Sequence, residues 1–163
     1  MHFSEAGAGA PLEVAYTRQE NDRFARIVER TYEGTLDCPI LTGIRTGADS
    51  LAAHRGTGPF DPRWWRLFQR DGRDAGILLM THHPERRACE VTYIGVVPEA
   101  RRRGLGRAMM QAAFVQAREA ACDHVEVAVD AANSHAIALY RQLGFHPVRQ
   151  YAVHLRLRGE IKD

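Results

Sequence analysis

The chain has 163 residues, 45% of them hydrophobic and 26% charged, as is typical of one globular domain that buries a core without disulfide staples. Its formal net charge of +2 is too small to indicate a polyanion as partner, so no nucleic-acid partner is expected. No apolar run approaches the roughly 20 residues that a membrane span needs, so no membrane partner is expected either.

The amino terminus and the cysteines bear on the compartment of the protein. Residues 1–11 are rich in Gly and Ala and are predicted to be a flexible tail, followed by a single domain over residues 12–163. The tail has neither the basic nor the apolar region of a secretory signal. The 3 cysteines lack CxxC spacing, which fits reduced thiols. We therefore predict a cytoplasmic protein.

The first part of the chain predicts a strand, a helix and a long irregular segment. Leu12–Thr17 is a candidate strand, and the apolar residues within Arg18–Tyr32 fall at helical spacing. Glu33–Pro62 is rich in Gly, Thr, Asp and Pro, with a short helix expected at Ala48–His54. Long irregular segments in compact domains are often functional loops, so this segment is the candidate for substrate specificity.

Three apolar runs then predict an antiparallel meander. Trp64–Gln69 and Ala75–Thr81 flank the Asp-Gly pair of Asp71 and Gly72, which is a strong hairpin signal. A further turn leads to Cys89–Val97, which is rich in β-branched and aromatic residues. These runs form the antiparallel half of the predicted sheet.

The remainder of the chain alternates between helical and strand periods. Leu105–Ala121 has one apolar helical face, and His124–Val129 alternates as a strand. Asn133 or Ser134 can cap the next helix, and Gly144 stands where a helix end favours a left-handed residue. A last strand is predicted from the alternating apolar residues Tyr151, Val153, Leu155 and Leu157. The order indicates a mixed α/β fold.

The segment Arg101–Arg107 predicts an anion site. A strand ends before Pro98, and arginines with Gly104 and Gly106 then open a helix whose first N–H groups have no internal partner. Glycines let an anion approach those N–H groups, so the turn is typical of a pyrophosphate cradle. A dinucleotide-binding G-x-G-x-x-G motif fails at Met109, and a nucleotide-hydrolysing P-loop lacks its lysine.

Two motifs carry a resemblance to a known family. V-x-P-x-x-R-R-x-G-x-G over residues 96–106 and N-x-x-A-I-A-L-Y-x-x-x-G-F over residues 133–145 resemble, in order and spacing, the GNAT superfamily of acyl-CoA N-acyltransferases. The resemblance extends over residues 75–157. It implies an α/β fold with a mixed, mostly antiparallel sheet, splayed at the cofactor site near Val96, with helices on both faces.

The resemblance also implies acetyl-CoA as cosubstrate and a set of residues that hold it. Strand residues would pair with the pantetheine arm, the turn would hold the pyrophosphate, and Asn133 would reach the pantetheine while it also caps its helix. The predicted cofactor-binding residues are Ile94, Gly95, Val96, Arg101, Arg102, Arg103, Gly104, Leu105, Gly106, Arg107 and Asn133.

Two residues are candidates for the proton transfers. A lysine-like amine has a pKa of about 10.4 and must lose a proton before it attacks, while a departing thiolate has to gain one. Glu90 lies 11 residues before Arg101, an offset that resembles that of the catalytic glutamate in histone-acetylating relatives. Tyr140 would stand beside the sulfur as the acid. The alternatives are a solvated strand carboxylate for Glu90 and a packing role for Tyr140, with Glu126 as the second candidate base.

One departure limits the comparison with another branch of the family. The branch that acetylates ribosomal-protein N-termini carries a glutamate five residues before the asparagine, whereas this chain has Ala128 there. The mechanism and substrate of that branch are therefore not carried over.

Together the residues and the resemblance predict acetyl transfer from acetyl-CoA to a primary amine by direct attack in a ternary complex. The partner would be a small-molecule or peptide amine, no metal is expected, and a homodimer is left open. Two alternatives remain: a non-catalytic acyl-CoA-binding module of the same fold, and a phosphate-binding role of the arginines on nucleic acid. The acceptor and the acyl-chain preference stay open.

Overall fold

The computed structural model describes residues 10–154. Four α-helices and five strands lie along this part of the chain, with short 3-10 helices between some of them. In chain order they are β1 (Leu12–Ala15), α1 (Asn21–Tyr32), α2 (Gly47–Arg55), β2 (Trp65–Arg70), β3 (Arg73–His83), β4 (Ala88–Val96), α3 (Leu105–Glu119), β5 (His124–Val127) and α4 (Ser134–Gln142). The predicted elements from Leu12 to Gly144 are thus present, with small shifts of their ends.

The strands form one open sheet in the order β1-β2-β3-β4-β5. The first four pair antiparallel, and β5 is parallel to β4. The β2–β3 hairpin turns on Asp71 at φ 53° and Gly72 at φ 72°. Two successive left-handed residues are the type I′ geometry that fits the twist of antiparallel strands, so the predicted hairpin is confirmed.

The two faces of the sheet are covered by different helices. A Cβ atom on Gly76 would lie 2.6 Å from Met109 of α3, whereas one on Gly95 would lie 2.7 Å from Thr31 of α1. Gly76 pairs with Val96, the neighbour of Gly95, and successive residues of a strand face opposite sides. Helices α1 and α3 therefore sandwich the β3–β4 pair, as the family resemblance implied.

The core lies between the sheet and these helices. Phe24 of α1, Trp65 and Phe68 of β2, and Met109 of α3 are almost wholly buried. The buried face of α1 contains Phe24 with Ile27 and Val28, at the helical spacing seen in the sequence. Within residues 10–154, no helix combines the length and the apolar character needed to cross a bilayer.

The prediction of a last strand is wrong where the structure describes it. Tyr151 and Val153 are each 73% exposed and belong to no strand, while Leu155 and Leu157 lie outside the described residues. Alternation of apolar residues predicts which face would be buried, but no strand or helix of the described chain covers that face. The predicted tail falls almost entirely outside the described residues.

Candidate functional site

The site is organised by a gap between β4 and β5. The two strands pair only from Ala88–His124 to Val91–Val127, while β4 continues along β3 as far as Val96. The sheet therefore splays after Val91, earlier in the strand than the sequence placed it. Beyond that point the outer edge of β4 has no neighbouring strand within the described chain.

Backbone groups of β4 are open along this edge. The N–H group of Val97 donates to Ala75 on β3 at 3.0 Å, and successive residues turn their peptide groups to opposite edges. Ile94 and Val96 therefore direct their N–H and C=O groups into the gap. Gly95, which the sequence analysis placed among the cofactor-binding residues, directs its N–H and C=O groups toward β3. Its lack of a side chain allows α1 to pack closely against β4.

The turn that follows β4 has the backbone of an anion site. Arg102 at φ 61° and Gly104 at φ 78° are both left-handed, and α3 begins at Leu105. A Cβ atom on Gly104 would meet nothing within 4 Å, so the space in front of the turn is open. The first N–H groups of α3 face that space without intrahelical partners, as helix geometry requires.

The first two residues of α3, Leu105 and Gly106, both lie close to other parts of the protein. The Leu105 side chain is buried in the core, which leaves only its backbone for the turn. A Cβ atom on Gly106 would lie 3.4 Å from Leu139 of α4, an ordinary van der Waals distance, so α4 lies close beside this part of the turn.

The arginine side chains of the turn have different roles. The guanidinium of Arg101 donates to three backbone carbonyls: that of Val96 at 3.0 Å, that of Thr31 at 3.0 Å and that of Gly34 at 3.3 Å. It joins the end of α1 and the following loop to β4. Arg101 therefore shapes the site, and its side chain is not available to a phosphate in this arrangement.

The other arginines remain without a carboxylate partner in the described chain. Arg102 lies 3.1 Å from His135, Arg107 donates to Gln142, and Arg70 adds a bond to the Arg103 carbonyl at 2.6 Å. None of Arg102, Arg103 or Arg107 forms a salt bridge with the described residues. Their positive charge is uncompensated at the mouth of the turn, which favours an anion there.

Helix α4 lies beside the turn and the start of α3, where its His135 approaches Arg102 and its Gln142 accepts from Arg107. The side-chain oxygen of Asn133 accepts from the Ala136 N–H group at 3.1 Å, which confirms the predicted helix cap. Tyr140 is 7% exposed, and its phenol makes no hydrogen bond to the described residues. Burial, with a smaller contribution from the charge of Asp37, raises the pKa of Tyr140 to about 12.

The two candidate bases differ in their surroundings. Glu90 is half-buried on β4 immediately before the splay, and its only described partner is the imidazole of His83 at 3.3 Å. Glu126, directly across from Glu90 on β5, is bound by Arg86 and His124. Burial would raise the pKa of Glu126, but the hydrogen bonds from His124 and Arg86 outweigh it and lower the pKa. Glu90 is thus the freer carboxylate.

The sequence analysis did not identify a further cluster of side chains, formed by Asp37, Cys38 and Asp130. Carboxylate oxygens of Asp37 and Asp130 and the thiol of Cys38 lie within 4.8 Å of one another, a spacing that could hold a metal ion. Asp37 accepts from the Asp130 N–H group at 3.0 Å, and Asp130 accepts from the Cys38 N–H group at 3.2 Å. The loop after α1, held to Arg101 through Gly34, is therefore fastened to the end of β5 and bridges the gap.

Aromatic residues pack between β4 and the helices α1 and α2. Tyr93 of β4 shares a 2.6 Å hydrogen bond with Thr31 and packs against Tyr32 and His54. Burial, the larger cause, together with the charge of Arg45 lowers the pKa of His54 to about 4, so its ring is neutral at neutral pH. The irregular composition of residues 33–62 predicted that Asp37 lies in a loop. Nothing in the sequence predicted that Asp37 would meet Asp130.

A groove of about 590 Å³ lies elsewhere and is lined by none of the predicted site residues. It is lined by the end of α3, by β5 and by residues 143–145, with Phe114 and Phe145 among its walls.

Known proteins resemble this chain in sequence and in fold. Residues 31–145 match the model described as acetyltransferase (GNAT) family. A mycothiol acetyltransferase from Streptomyces griseus subsp. griseus is 36% identical over 86 residues, which are 53% of this chain and 28% of that protein. Another, from Beutenbergia cavernae, is 36% identical over 105 residues, which are 64% of this chain and 35% of that protein. The chain spans about a third of the length of these relatives.

Among solved structures, the ribosomal-protein-S18-alanine N-acetyltransferase from Escherichia coli has the same fold. The two superpose with a TM-score of 0.66 over 85% of this chain and 79% of that chain, at 19% identity.

The role of Arg101 can be tested by its removal. In Arg101→Ala three carbonyl groups lose a charged donor, so the free energy of unfolding should fall by about 2–3 kcal/mol, measured by urea denaturation. Arg103→Ala is the matched control: its side chain is exposed, and its carbonyl still accepts from Arg70. That control should change stability by no more than about 0.5 kcal/mol. Equal losses in the two variants would contradict the structural role of Arg101.

Proposed function

Because the chain belongs to the acetyltransferase (GNAT) family, we propose that it transfers an acetyl group from acetyl-CoA to a primary amine. The reaction would proceed by direct attack of the amine on the thioester in a ternary complex. The observation that carries this proposal is the continuity of the open β4 edge with the left-handed, arginine-rich turn. One end suits an extended amide-containing chain, and the other suits a pyrophosphate.

The cofactor would lie along this path. The N–H and C=O groups of Ile94 and the N–H group of Val96 are free to pair with the amides of pantetheine as an added strand would. The backbone of residues 102–107 would hold the pyrophosphate, aided by the side-chain charges of Arg102, Arg103 and Arg107. The side-chain nitrogen of Asn133 has no described partner and would reach the pantetheine arm.

Proton transfers accompany the attack. Glu90, directly or through water, would take the proton that the ammonium must lose. The C–N bond then forms, the C–S bond breaks, and negative charge grows on the CoA sulfur. A pKa of about 12 keeps the Tyr140 phenol protonated, so it can donate to that sulfur, and it gives up its proton only as the charge develops.

Two of the 3 cysteines, Cys38 and Cys89, favour direct attack over a covalent acyl-cysteine route. Burial, followed by the charges of Asp37 and Asp130, raises the pKa of Cys38, the thiol nearest the gap. Cys89 is buried in the core, and burial raises its pKa to about 12. Both are held as thiols, which are poor nucleophiles.

The competing proposal, an acyl-CoA-binding module without turnover, makes a different prediction in one experiment. The protein is incubated with acetyl-CoA and a panel of amines, and free thiol is followed over time. More than one equivalent of CoA released with any amine supports the transferase. Binding of acetyl-CoA without amine-dependent release across the panel supports the module.

Gly104→Val should abolish measurable CoA binding. A branched side chain would fill the open space before the turn and oppose the left-handed backbone, at a cost of about 1–2 kcal/mol. Gly72→Val is the control, since Gly72 has φ 72° and equally open surroundings but lies in the β2–β3 hairpin. Calorimetric titration with CoA should show binding in the control only. If a folded Gly104→Val protein bound CoA with unchanged affinity, the cofactor would not bind at this turn.

Glu90→Gln should lower turnover by about 10²–10⁴, the usual effect of losing a general base. The deficit should shrink at high pH, where solution supplies the free amine. Glu119→Gln, an exposed change at the end of α3, is the control and should leave the rate unaltered. Full activity of the Glu90→Gln variant at pH 7 would assign the role of general base to Glu126 or to solvent.

Tyr140→Phe should lower turnover at least about tenfold while the affinity for acetyl-CoA barely changes. The substitution removes one oxygen and little packing, so stability should change by no more than about 1 kcal/mol. Tyr151→Phe, at a tyrosine that is 73% exposed, is the control for general effects of the change. Wild-type turnover in the Tyr140→Phe variant would show that Tyr140 contributes only packing and does not protonate the thiolate.

A further inference from the structure

Two cysteine thiols contact each other where β4 begins. The sulfur of Cys89, the second residue of β4, lies 2.8 Å from the sulfur of Cys122, which lies between α3 and β5. A disulfide bond is about 2.05 Å long, so the two sulfurs are within about 1 Å of bonding distance. Neither thiol takes part in the proposed acetyl transfer. The pair therefore has a chemistry of its own.

The backbone holds the two thiols in this position. The N–H group of Asp123 donates to the Arg87 carbonyl at 2.6 Å, and the side chains of the same two residues form a salt bridge at 2.8 Å. The N–H group of Cys122 donates to the Ala117 carbonyl at 2.9 Å, which attaches it to the end of α3. Because Arg87 and Asp123 lie within two residues of the cysteines, a bond between the sulfurs would need little movement.

The two thiols differ in their access to solvent. Cys89 is fully buried, whereas Cys122 is half-buried and lines the groove of about 590 Å³ beside the end of α3. Burial also raises the pKa of Cys89, with the neighbouring Cys122 sulfur as the next cause. Since the thiolate is the reactive form, Cys89 is a poor first nucleophile. Cys122 is therefore the thiol that an oxidant in the groove would meet.

We propose that Cys89 and Cys122 are a reversible disulfide site, oxidised by low-molecular-weight disulfides that enter the groove. The Cys122 thiolate attacks one sulfur of the oxidant, which forms a mixed disulfide and releases the first small thiol. The Cys89 thiol then loses its proton, and its sulfur attacks the Cys122 sulfur and releases the second small thiol. Two protein thiols are thereby oxidised by two electrons, and the small disulfide is reduced to two thiols that take up the two protons.

The geometry favours the second step over a lasting mixed disulfide. The Cys89 sulfur is already in contact with the sulfur that it attacks, and a positioned nucleophile in the same molecule reacts far faster than one from solution. The new bond would close a loop that contains the rest of β4, the arginine-rich turn and α3. Closing such a loop restricts the unfolded chain, so the thermal midpoint should rise by at least about 5 °C on oxidation.

The test follows the thiols of the native protein with glutathione disulfide as the oxidant. Every protein carries Cys38→Ser, so that only the pair can react. After alkylation of free thiols, mass spectrometry of the otherwise unchanged protein should show a peptide that joins Cys89 to Cys122 and no bound glutathione. Dithiothreitol should restore both free thiols and lower the thermal midpoint again. Absence of the joined peptide from the folded, oxidant-treated protein would overturn the proposal.

Two variants test the order of the steps. In Cys89→Ala the mixed disulfide cannot be resolved, so one glutathione should remain on Cys122. In Cys122→Ala the buried Cys89 should stay a free thiol under the same conditions. A glutathione on Cys89 in the second variant, or none on Cys122 in a folded first variant, would overturn the roles assigned to the two thiols. The matched control is a protein with Cys38 as its single cysteine, an exposed thiol that should hold one glutathione.

Discussion

The parting of β4 from β5 is the constraint on which the rest of the site depends. Paired strands satisfy each other's peptide groups, and an unpaired stretch of sheet edge seeks another partner. Here the pairing stops at Val91 while β4 runs on to Val96 along β3. The chain thereby keeps a strand with one free edge inside the fold, and the proposed path of the cofactor follows that edge.

Charge is distributed unequally along this gap. At the end of β4 the arginines of the turn have no described carboxylate partner, and at the end of β5 two aspartates have no described cation. The net charge of +2 conceals this separation, because opposite charges cancel in the sum and not in space. The turn therefore favours an anion at one end of the gap, and the two aspartates leave negative charge at the other.

Local signals made much of this architecture predictable. The Asp71-Gly72 turn, the Asn133 cap and the left-handed Gly144 follow from short-range backbone rules, and each is present. The meeting of Asp37 with Asp130 spans 93 residues and rests on loop–loop hydrogen bonds, which have no periodicity to detect. The prediction of a last strand was wrong for the opposite reason. Alternation of apolar residues is a local signal, but a buried strand also needs a neighbouring strand or helix, which the described chain does not supply. The side-chain role of Arg101 was likewise hidden, since its motif position is equally compatible with contacts to a phosphate and to the protein.

The three carbonyl groups held by Arg101 have a consequence for how variants of this chain should be interpreted. They belong to α1, to the loop that leads to Asp37 and to the strand that precedes the turn. One side chain thus holds together a helix, a loop and the strand along which the cofactor is proposed to lie. A change in CoA affinity of an Arg101 variant would therefore combine altered contacts with a displaced backbone, so this position cannot serve as a probe of phosphate binding alone.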